Sequence, residues 1–282
     1  MYNVRSCKAN HAARYYTEPQ AGSVKSEWIG KGAKSIGLTG AVERSDFVLL
    51  LKGRAPGGES IVQRQTANRI AAFDVTLSAP KSVSLAVLYE GDEEILKAHR
   101  QAVTETFKAI EQRLQVRVYR GRKSEFFRAE DVVAANFHHT LSRELDPQLH
   151  NHLVIINAAR YQGTWRGLYP RKALYEQAMD TGQLYRESLG TKLQALGHEL
   201  RCAGDKLWEM ARYPREVLSH FSKRRQAIEE SVGVNASAKA KQAVAMRLRP
   251  DKNEIPLPEL HARWREEMRH MSLAAIPIER SR

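Results

Sequence analysis

The 282-residue sequence has only two cysteines, Cys7 and Cys202, and no apolar run long enough to cross a membrane. A transmembrane helix needs about 20 consecutive apolar residues, and the longest runs here, FVLLL and SLAVLY, are far shorter. Two cysteines provide neither a disulfide framework nor a cysteine-based metal motif. The first residues, MYNVRSCKANH, lack the apolar core of a secretory signal. These absences predict a globular cytoplasmic protein without membrane insertion.

Acidic residues are too few to balance the basic ones. The sequence has 45 Lys and Arg against 32 Asp and Glu, a formal net charge of +13. Such a charge favours a polyanionic partner, because each basic side chain that neutralises a phosphate releases bound counterions. Aromatic residues, at 7%, are too few to indicate a base-stacking surface by themselves. The charge therefore points to nucleic acid and leaves the chemistry open.

Residue patterns predict an α+β fold, with a central antiparallel β-sheet flanked by helices and a helical C-terminal part. The predicted strands are YNVRS, RIAAFDVTLS, DVVAANFHHTLS and HLVIINAARY. The predicted helices are NHAARYYTE with Asn10 as its N-cap, SDFVLLLKG, residues 92–116, ALYEQAMDTGQLYRESLGTKLQALG, and residues 214–231, 237–248 and 257–271. The polar stretch through GKGAKSIGLTG is predicted to be a loop.

Four of the ten histidines fall in residues 138–152, HHTLSRELDPQLHNH. The connection between the two predicted strands is too short for a parallel crossover, so antiparallel pairing is expected. Alternate side chains of a strand share a face, which puts His150 and His152 together and lets pairing bring His139 beside them, with His138 facing away. Three imidazoles with open positions are typical of a catalytic metal site, and they suit zinc, manganese, nickel or copper.

A metal site in a basic protein indicates phosphate chemistry, but the attacking group stays open at this point. Water would make the protein a metal-dependent hydrolytic nuclease. A tyrosine would make it a covalent enzyme, and RYY at residues 14–16 offers a candidate. A DNA-binding protein with an inactive site is the third alternative.

Four segments together resemble the relaxase domain of the TrwC/TraI-type (MobF-class) conjugative relaxases, within the HUH endonuclease superfamily. They are ARYY, EWIGKGAKSIGLTG, FDVTLSAPKSVSL and HHTLSRELDPQLHNHLVIINAAR, which occur in the family's order and approximate spacing. The likeness covers essentially the whole chain. It implies a single domain over residues 1–282, with a catalytic palm over about 1–212 and a helical DNA-clamping part over about 213–282.

The resemblance implies strand-specific nicking of single-stranded DNA at a conjugative transfer origin. A tyrosine attacks the scissile phosphate, giving a 5′-phosphotyrosine linkage and a free 3′-hydroxyl in a reversible transesterification. The nucleophile would be Tyr15, with Tyr16 its neighbour. His139, His150 and His152 would hold one divalent metal, Mg or Mn in function and Zn or Ni in a purified sample. Asp74 would accept an imidazole N–H, and could help to remove the tyrosine proton.

The resemblance also implies partners and DNA contacts. The partners would be single-stranded origin DNA with a nic site and hairpin, accessory relaxosome proteins and a type IV secretion coupling protein. The protein would be a bacterial cytoplasmic monomer, able to travel with the DNA into the recipient. The residues expected to contact DNA are Lys81, Arg143, Arg160, Lys223, Arg224, Arg225, Lys239, Lys241, Arg247 and Arg249.

Three features depart from the family pattern. The stretch TEPQAGSVKSEW has no second tyrosine pair, which puts a two-tyrosine termination scheme in doubt. Asn151 stands between the paired histidines where a hydrophobic residue is expected. The G-x-x-x-x-G-K-[ST] motif of a fused helicase is missing from these 282 residues, so the sequence is expected to be a domain of a longer protein.

Overall fold

The structure is a computed structural model that describes residues 2–17, 23–66, 68–248 and 255–271. The helices are α1 (Ala9–Thr17), α2 (Lys31–Ser35), α3 (Arg44–Leu51), α4 (Lys81–Leu88), α5 (Glu93–Arg113), α6 (Ala178–Ala195), α7 (Arg215–His220), α8 (Lys223–Val232), α9 (Ala238–Arg247) and α10 (Leu257–His270). The strands are β1 (Tyr2–Cys7), β2 (Ser23–Ile29), β3 (Ala72–Ser78), β4 (Gln115–Arg120), β5 (Lys123–Arg128), β6 (Asp131–Leu141), β7 (Pro147–Tyr161), β8 (Thr164–Arg166), β9 (Leu168–Tyr169), β10 (Leu200–Gly204) and β11 (Leu207–Met210).

A central antiparallel sheet organises the molecule, as the sequence predicts. Its strand order is β1-β3-β7-β6-β2, and β8 pairs with β7. The two longest strands, β6 and β7, lie in the middle and are joined by the SRELD turn. Almost every side chain of β6 and β7 is buried or half-buried, because the sheet is covered on both faces. The histidines therefore lie on central strands that are packed on both faces.

Strand alternation separates two hydrophobic cores. One face of the sheet packs against α4, α5 and α6 through residues such as Leu153 and Ile155. The other face packs against α1 and α3 through residues such as Phe137, Val154 and Ile156. Residues 137 and 139 of β6 pair with residues 152 and 150 of β7, and alternate side chains of a strand share a face. The three histidines therefore lie on the same face as Phe137, Val154 and Ile156, which is the α1 side.

Helix α5 agrees with its prediction, because it presents an apolar stripe and is capped at its start. Ile95, Val103, Phe107 and Ile110 are buried along one side. The Asp92 carboxylate accepts a hydrogen bond from the Ile95 amide at 3.0 Å, which satisfies a free N–H of the first turn. Helix α1, in contrast, starts one residue earlier than predicted, since the Ala12 amide already bonds to the Lys8 carbonyl at 3.0 Å. Asn10 is therefore inside the helix and is not its cap.

The stretch predicted as a loop before Gly40 instead contains β2 and α2. Strand β2 is polar because it is the edge of the sheet, and only Trp28 of its described side chains is buried. The β4–β5 and β10–β11 hairpins were also missed. These strands are short or lie outside the central sheet, so their sequences carry little apolar alternation.

Two predicted helices are interrupted. The segment predicted as one helix from 173 begins with a π-helical turn over Arg171–Glu176, and α6 follows from Ala178. The segment 214–231 is divided at Phe221 and Ser222 into α7 and α8. Phe221 is fully buried, so the chain changes direction where this ring enters the core.

The C-terminal helices are fixed to the turn between β6 and β7. The Trp264 ring of α10 is 1% exposed, and its Nε1 donates to the Leu145 carbonyl oxygen at 3.0 Å. The Asp146 carboxylate accepts hydrogen bonds from the Lys223 amide at 2.9 Å and from its ammonium at 3.1 Å. Leu145 has a φ of 59°, a strained value for a leucine, so these contacts hold the turn in its conformation.

Replacing Trp264 with alanine should therefore lower the free energy of unfolding by about 3 to 5 kcal/mol. Urea denaturation measures the change. Met179→Ala is the control, because Met179 is 87% exposed and should contribute little. A loss below about 1 kcal/mol for Trp264→Ala would contradict this packing.

Candidate active site

Three histidines meet on the α1 side of the sheet. His139 is paired with His150 across the β6–β7 ladder, and His152 lies two residues further along β7 on the same face. One ring nitrogen from each can be chosen so that all three lie within 4.8 Å of one another. The sequence predicted this convergence and the structure has it. Their role as metal ligands remains a prediction.

Backbone and carboxylate acceptors orient two of these rings. His152 Nδ1 lies 2.8 Å from the Asp74 carboxylate, and His150 Nδ1 lies 2.9 Å from the Gln148 carbonyl oxygen. Both acceptors lack a proton to donate, so each Nδ1 carries the hydrogen. Each ring therefore presents the lone pair of Nε2, and the contact with Asp74 is the one that the resemblance implied.

The environment keeps His139 and His150 neutral. Burial, followed by the neighbouring histidines, lowers the pKa of His139 to about 2. Burial, followed by His152, lowers the pKa of His150 to about 3. For Asp74, burial acts to raise the pKa, but the contacts with His152 outweigh it and the pKa is lowered. Two neutral imidazoles and an ionised carboxylate are protonation states that a cation site requires.

Tyr16 is packed into the site. Its ring stacks on Phe137 at 4.8 Å between centroids, and its hydroxyl is 3.3 Å from His152 Nδ1. Burial, and next the Asp74 charge, raise its pKa well above the ordinary value. A phenol held so firmly in its protonated form is a poor nucleophile.

Tyr15 lies beside a cation at the edge of the triad. Its ring centroid is 6.0 Å from that of His152. Nη2 of Arg143, in the β6–β7 turn, is 3.4 Å from the Tyr15 hydroxyl oxygen. Arg143 was predicted to contact DNA, and the structure brings it to the tyrosine.

A buried hydrogen-bond network on the opposite face was missed by sequence reasoning. As predicted, His138 points away from the triad, and its Nδ1 is 2.9 Å from Asn151 Nδ2. Asn151 Oδ1 lies 2.7 Å from His99 Nε2, and the other nitrogen of His99 lies 2.8 Å from the Tyr185 hydroxyl. His99 is fully buried on α5. A lone polar residue within an apolar stripe was its only signal.

Two of the other basic residues expected to contact DNA bond to groups within the chain. The Lys81 ammonium donates to the Pro147 carbonyl oxygen at 2.6 Å. Arg160 pairs with Glu59 at 3.2 Å and covers the Trp165 ring. It is eight residues beyond His152 on β7, roughly 26 Å along an extended strand. Their DNA role stays a prediction.

The C-terminal basic residues mostly bond within the chain. Lys223 bonds to Asp146 and Glu267, and Arg225 to Glu229 at 2.8 Å. Arg224 donates to the carbonyl oxygens of Leu248 and Ala245. Lys241 donates to the Val234 carbonyl oxygen at 2.5 Å, and Arg247 is exposed. The Lys239 side chain and the whole of Arg249 lie outside the described part of the chain.

Burial of His99 should make the stability of the protein depend on pH. Burial lowers the pKa of His99 to about 4, whereas the unfolded chain protonates this histidine below about pH 6.5. The unfolded state therefore binds more protons in this range, and stability should fall by roughly 3 kcal/mol from pH 6.5 to 4 through this residue.

Urea denaturation across this range, comparing the protein with His99→Gln, measures that contribution. The His99→Gln variant should have a flatter pH dependence, and His270→Gln, at a 79% exposed side chain, should match the parent. Equal slopes for the protein and His99→Gln would contradict a neutral buried His99.

Comparison with known proteins supplies the family. The TrwC relaxase family model matches residues 1–271. The chain is 36% identical over 282 residues to the multifunctional conjugation protein TraI of Escherichia coli strain K12, covering 94% of this chain, and 33% identical over 276 residues to an Escherichia coli TraI, covering 93%. The chain spans 16% of the length of each of these relatives.

Solved structures agree with this match. The conjugative relaxase TrwC in a metal-bound complex with oriT DNA superposes with a TM-score of 0.88 at 34% identity, covering 96% of this chain and 99% of that chain. TrwC bound to a 27-mer DNA with the recognition hairpin and the cleavage site gives a TM-score of 0.86 at 34% identity, with the same coverage. No described helix of this chain is long and apolar enough to span a membrane. The chain belongs to the TrwC relaxase family.

Proposed function

We propose that this domain nicks one strand of DNA at the transfer origin of a conjugative plasmid, by attack of a tyrosine on a phosphodiester. The observation that carries the proposal is the convergence of the histidine triad, the Asp74 carboxylate and Tyr15 on one face of the sheet. The TrwC relaxases solved with oriT DNA, one with the recognition hairpin and cleavage site, support the same substrate here.

Tyr15 is the proposed nucleophile. Its hydroxyl oxygen attacks phosphorus, the bond from phosphorus to the 3′-oxygen breaks, and a 5′-phosphotyrosine linkage forms. The proton that the phenol loses is balanced by the one that the departing 3′-oxygen gains. Arg143, whose guanidinium already lies at the Tyr15 hydroxyl, can bind a phosphate oxygen in the same place. The second tyrosine, Tyr16, shapes the site through its contacts with His152 and Phe137.

The triad is the proposed holder of one divalent cation. Three converging imidazoles, two of them with Nδ1 held by an oxygen acceptor, fit such an ion. When bound, the ion would polarise a phosphoryl oxygen and offset charge that builds on the phosphate. A TrwC structure described as copper-bound shows that a relative accepts a transition metal. For this chain we propose Mg or Mn in function, with Zn or Ni possible in a purified sample.

Asp74 is a positioning residue in this proposal. Its carboxylate fixes the tautomer and ring orientation of His152, and Thr76 Oγ1 lies beside the same His152 nitrogen at 3.3 Å. Because the bond between Asp74 and His152 is short and buried, the contacts favour ring orientation over removal of the Tyr15 proton.

The wider assignment follows from the family. We propose a single domain in which the helices after Tyr213 close over single-stranded DNA, and their attachment to the β6–β7 turn supports a common body. Accessory relaxosome proteins, a type IV coupling protein, a monomeric state and a cytoplasmic location before transfer with the DNA are part of the same proposal.

Replacing Tyr15 with phenylalanine should abolish the covalent adduct with a labelled single-stranded origin oligonucleotide in the presence of Mn²⁺. Tyr16→Phe should retain the adduct, because burial and the Asp74 charge raise the pKa of the Tyr16 phenol and make it a poor nucleophile. Tyr119→Phe, at a 67% exposed ring, is the matched control. A denaturing gel measures the adduct. Cleavage without an adduct in the Tyr15→Phe/Tyr16→Phe double variant would favour a hydrolytic nuclease, and binding without cleavage by the parent would favour a non-catalytic DNA-binding protein.

Replacing Asp74 with asparagine should weaken Mn²⁺ binding by about 10- to 100-fold, as loss of a carboxylate behind a metal-bound imidazole does. Isothermal titration measures the affinity. Glu94→Gln, at a 66% exposed carboxylate on α5, is the control and should bind Mn²⁺ as the parent does. Unchanged Mn²⁺ affinity in Asp74→Asn would remove the positioning role.

A further inference from the structure

A basic cleft lies next to the candidate active site, and none of the side chains that line it has a role in the proposed reaction. It has a volume of about 400 Å³ and lies between the start of α1, the end of α3 and the segment before β3. Its polar lining includes Lys8, His11, Lys52, Gln65, Thr66 and Arg69.

The cleft concentrates positive charge. Lys8, Lys52 and Arg69 are cations, and none of the nine described residues that line the cleft is acidic. Lys8 Nζ donates to the Asn68 side-chain oxygen at 3.1 Å, and Arg69 Nη2 donates to the Leu51 carbonyl oxygen. Both acceptors are neutral, so these bonds fix the cations without cancelling their charge. Such a surface suits an anion.

The hydrogen-bond donors of the cleft also favour an anionic ligand. The Arg69 Nη1 atom is buried without a hydrogen-bond partner among the described residues. The Lys8, His11 and Lys52 side chains are exposed and can adjust to a ligand. A cleft with several cationic donors matches the phosphodiester groups of a nucleic acid backbone.

The cleft is close to the nucleophile proposed above. His11 precedes Tyr15 by one helical turn, about 6 Å of rise. The two rings lie 6.2 Å apart with an interplanar angle of 9°. His11 is thus both a wall of the cleft and a neighbour of Tyr15, while Arg143 approaches Tyr15 from the β6–β7 turn. A strand that places its phosphate at Tyr15 can continue directly into the cleft.

We propose that this cleft is a subsite for backbone phosphates of single-stranded DNA immediately flanking the scissile phosphate. The inference rests on the proposed nicking function and deepens it. Three of the nine described lining residues are cations, and His11 is the only aromatic ring among these nine. The cleft therefore binds the backbone without reading base sequence, and it holds the strand in place for attack at Tyr15.

The test compares three labelled single-stranded oligonucleotides from the transfer origin. One ends close to the scissile phosphate on both sides, one is extended on the 5′ side, and one is extended on the 3′ side. The Lys8→Ala/Lys52→Ala double variant removes two exposed cations of the cleft. The matched control is Lys97→Ala/Lys108→Ala, which removes two exposed cations from α5 on the opposite face of the sheet.

For the oligonucleotide whose extension enters the cleft, the double variant should bind about 10-fold more weakly. The slope of log affinity against log salt should become shallower by about 1.4, the value for two lost single-strand phosphate contacts. Binding of the short oligonucleotide should stay within about twofold of the parent, because that oligonucleotide does not extend into the cleft and its other phosphate contacts are unchanged. The control should match the parent throughout. The extended oligonucleotide whose binding is weakened shows whether the cleft binds the strand on the 5′ or the 3′ side of the scissile phosphate.

Equal affinities of parent and double variant for both extended oligonucleotides would overturn the subsite. An equal loss of affinity for all three oligonucleotides would also overturn the subsite, because the two lysines would then act only through non-specific electrostatic attraction of DNA. Failure of the nicking function gives a different result. The parent would then form no adduct with any oligonucleotide, whereas the affinity series would still report on the cleft.

Discussion

The antiparallel pairing of β6 with β7 is the constraint on which the site depends. It sets His139 opposite His150, and strand alternation adds His152 to the same face. A shift of the register by one residue would turn each histidine to the other face. Buried apolar side chains on both faces of these strands resist such a shift. The packing of the sheet therefore fixes the relative positions of the three histidines.

The two adjacent tyrosines show how one short helix creates two environments. Neighbouring residues of a helix point about 100° apart. Tyr16 therefore turns into the apolar wall and the Asp74–His152 pair, where burial keeps its phenol protonated. Tyr15 turns toward Arg143, with its ring 6.0 Å from that of His152. The helix thus presents the proposed nucleophile beside the three histidines of the sheet. The turn that carries Arg143 is itself fixed by Trp264 and Lys223 of the C-terminal helices.

Much of this arrangement could be predicted from the sequence. Strand β3 is rich in β-branched and aromatic residues, β6 and β7 are rich in apolar residues, helix α5 has apolar residues at helical spacing, and the triad follows from strand alternation. The resemblance to known relaxases added Asp74 and Tyr15. Strand β2 escaped prediction, because an edge strand with polar residues has no apolar alternation. The His99–Asn151 contact joins residues 52 positions apart, and no local pattern reports such a pairing. The bonds of Lys81, Lys223 and Arg224 within the chain could not be predicted either. The sequence does not distinguish a basic residue that contacts DNA from one that bonds to a carboxylate or carbonyl oxygen of the protein.

The strand register brings three imidazoles together as one proposed cation site. X-ray absorption of the Mn²⁺-loaded protein is the decisive measurement, because the spectrum reports the number of imidazole nitrogens bound to the metal. Three imidazoles per ion are expected in the parent and two in His139→Ala. An ion with fewer than three imidazoles in the parent, or a spectrum unchanged by His139→Ala, would contradict it.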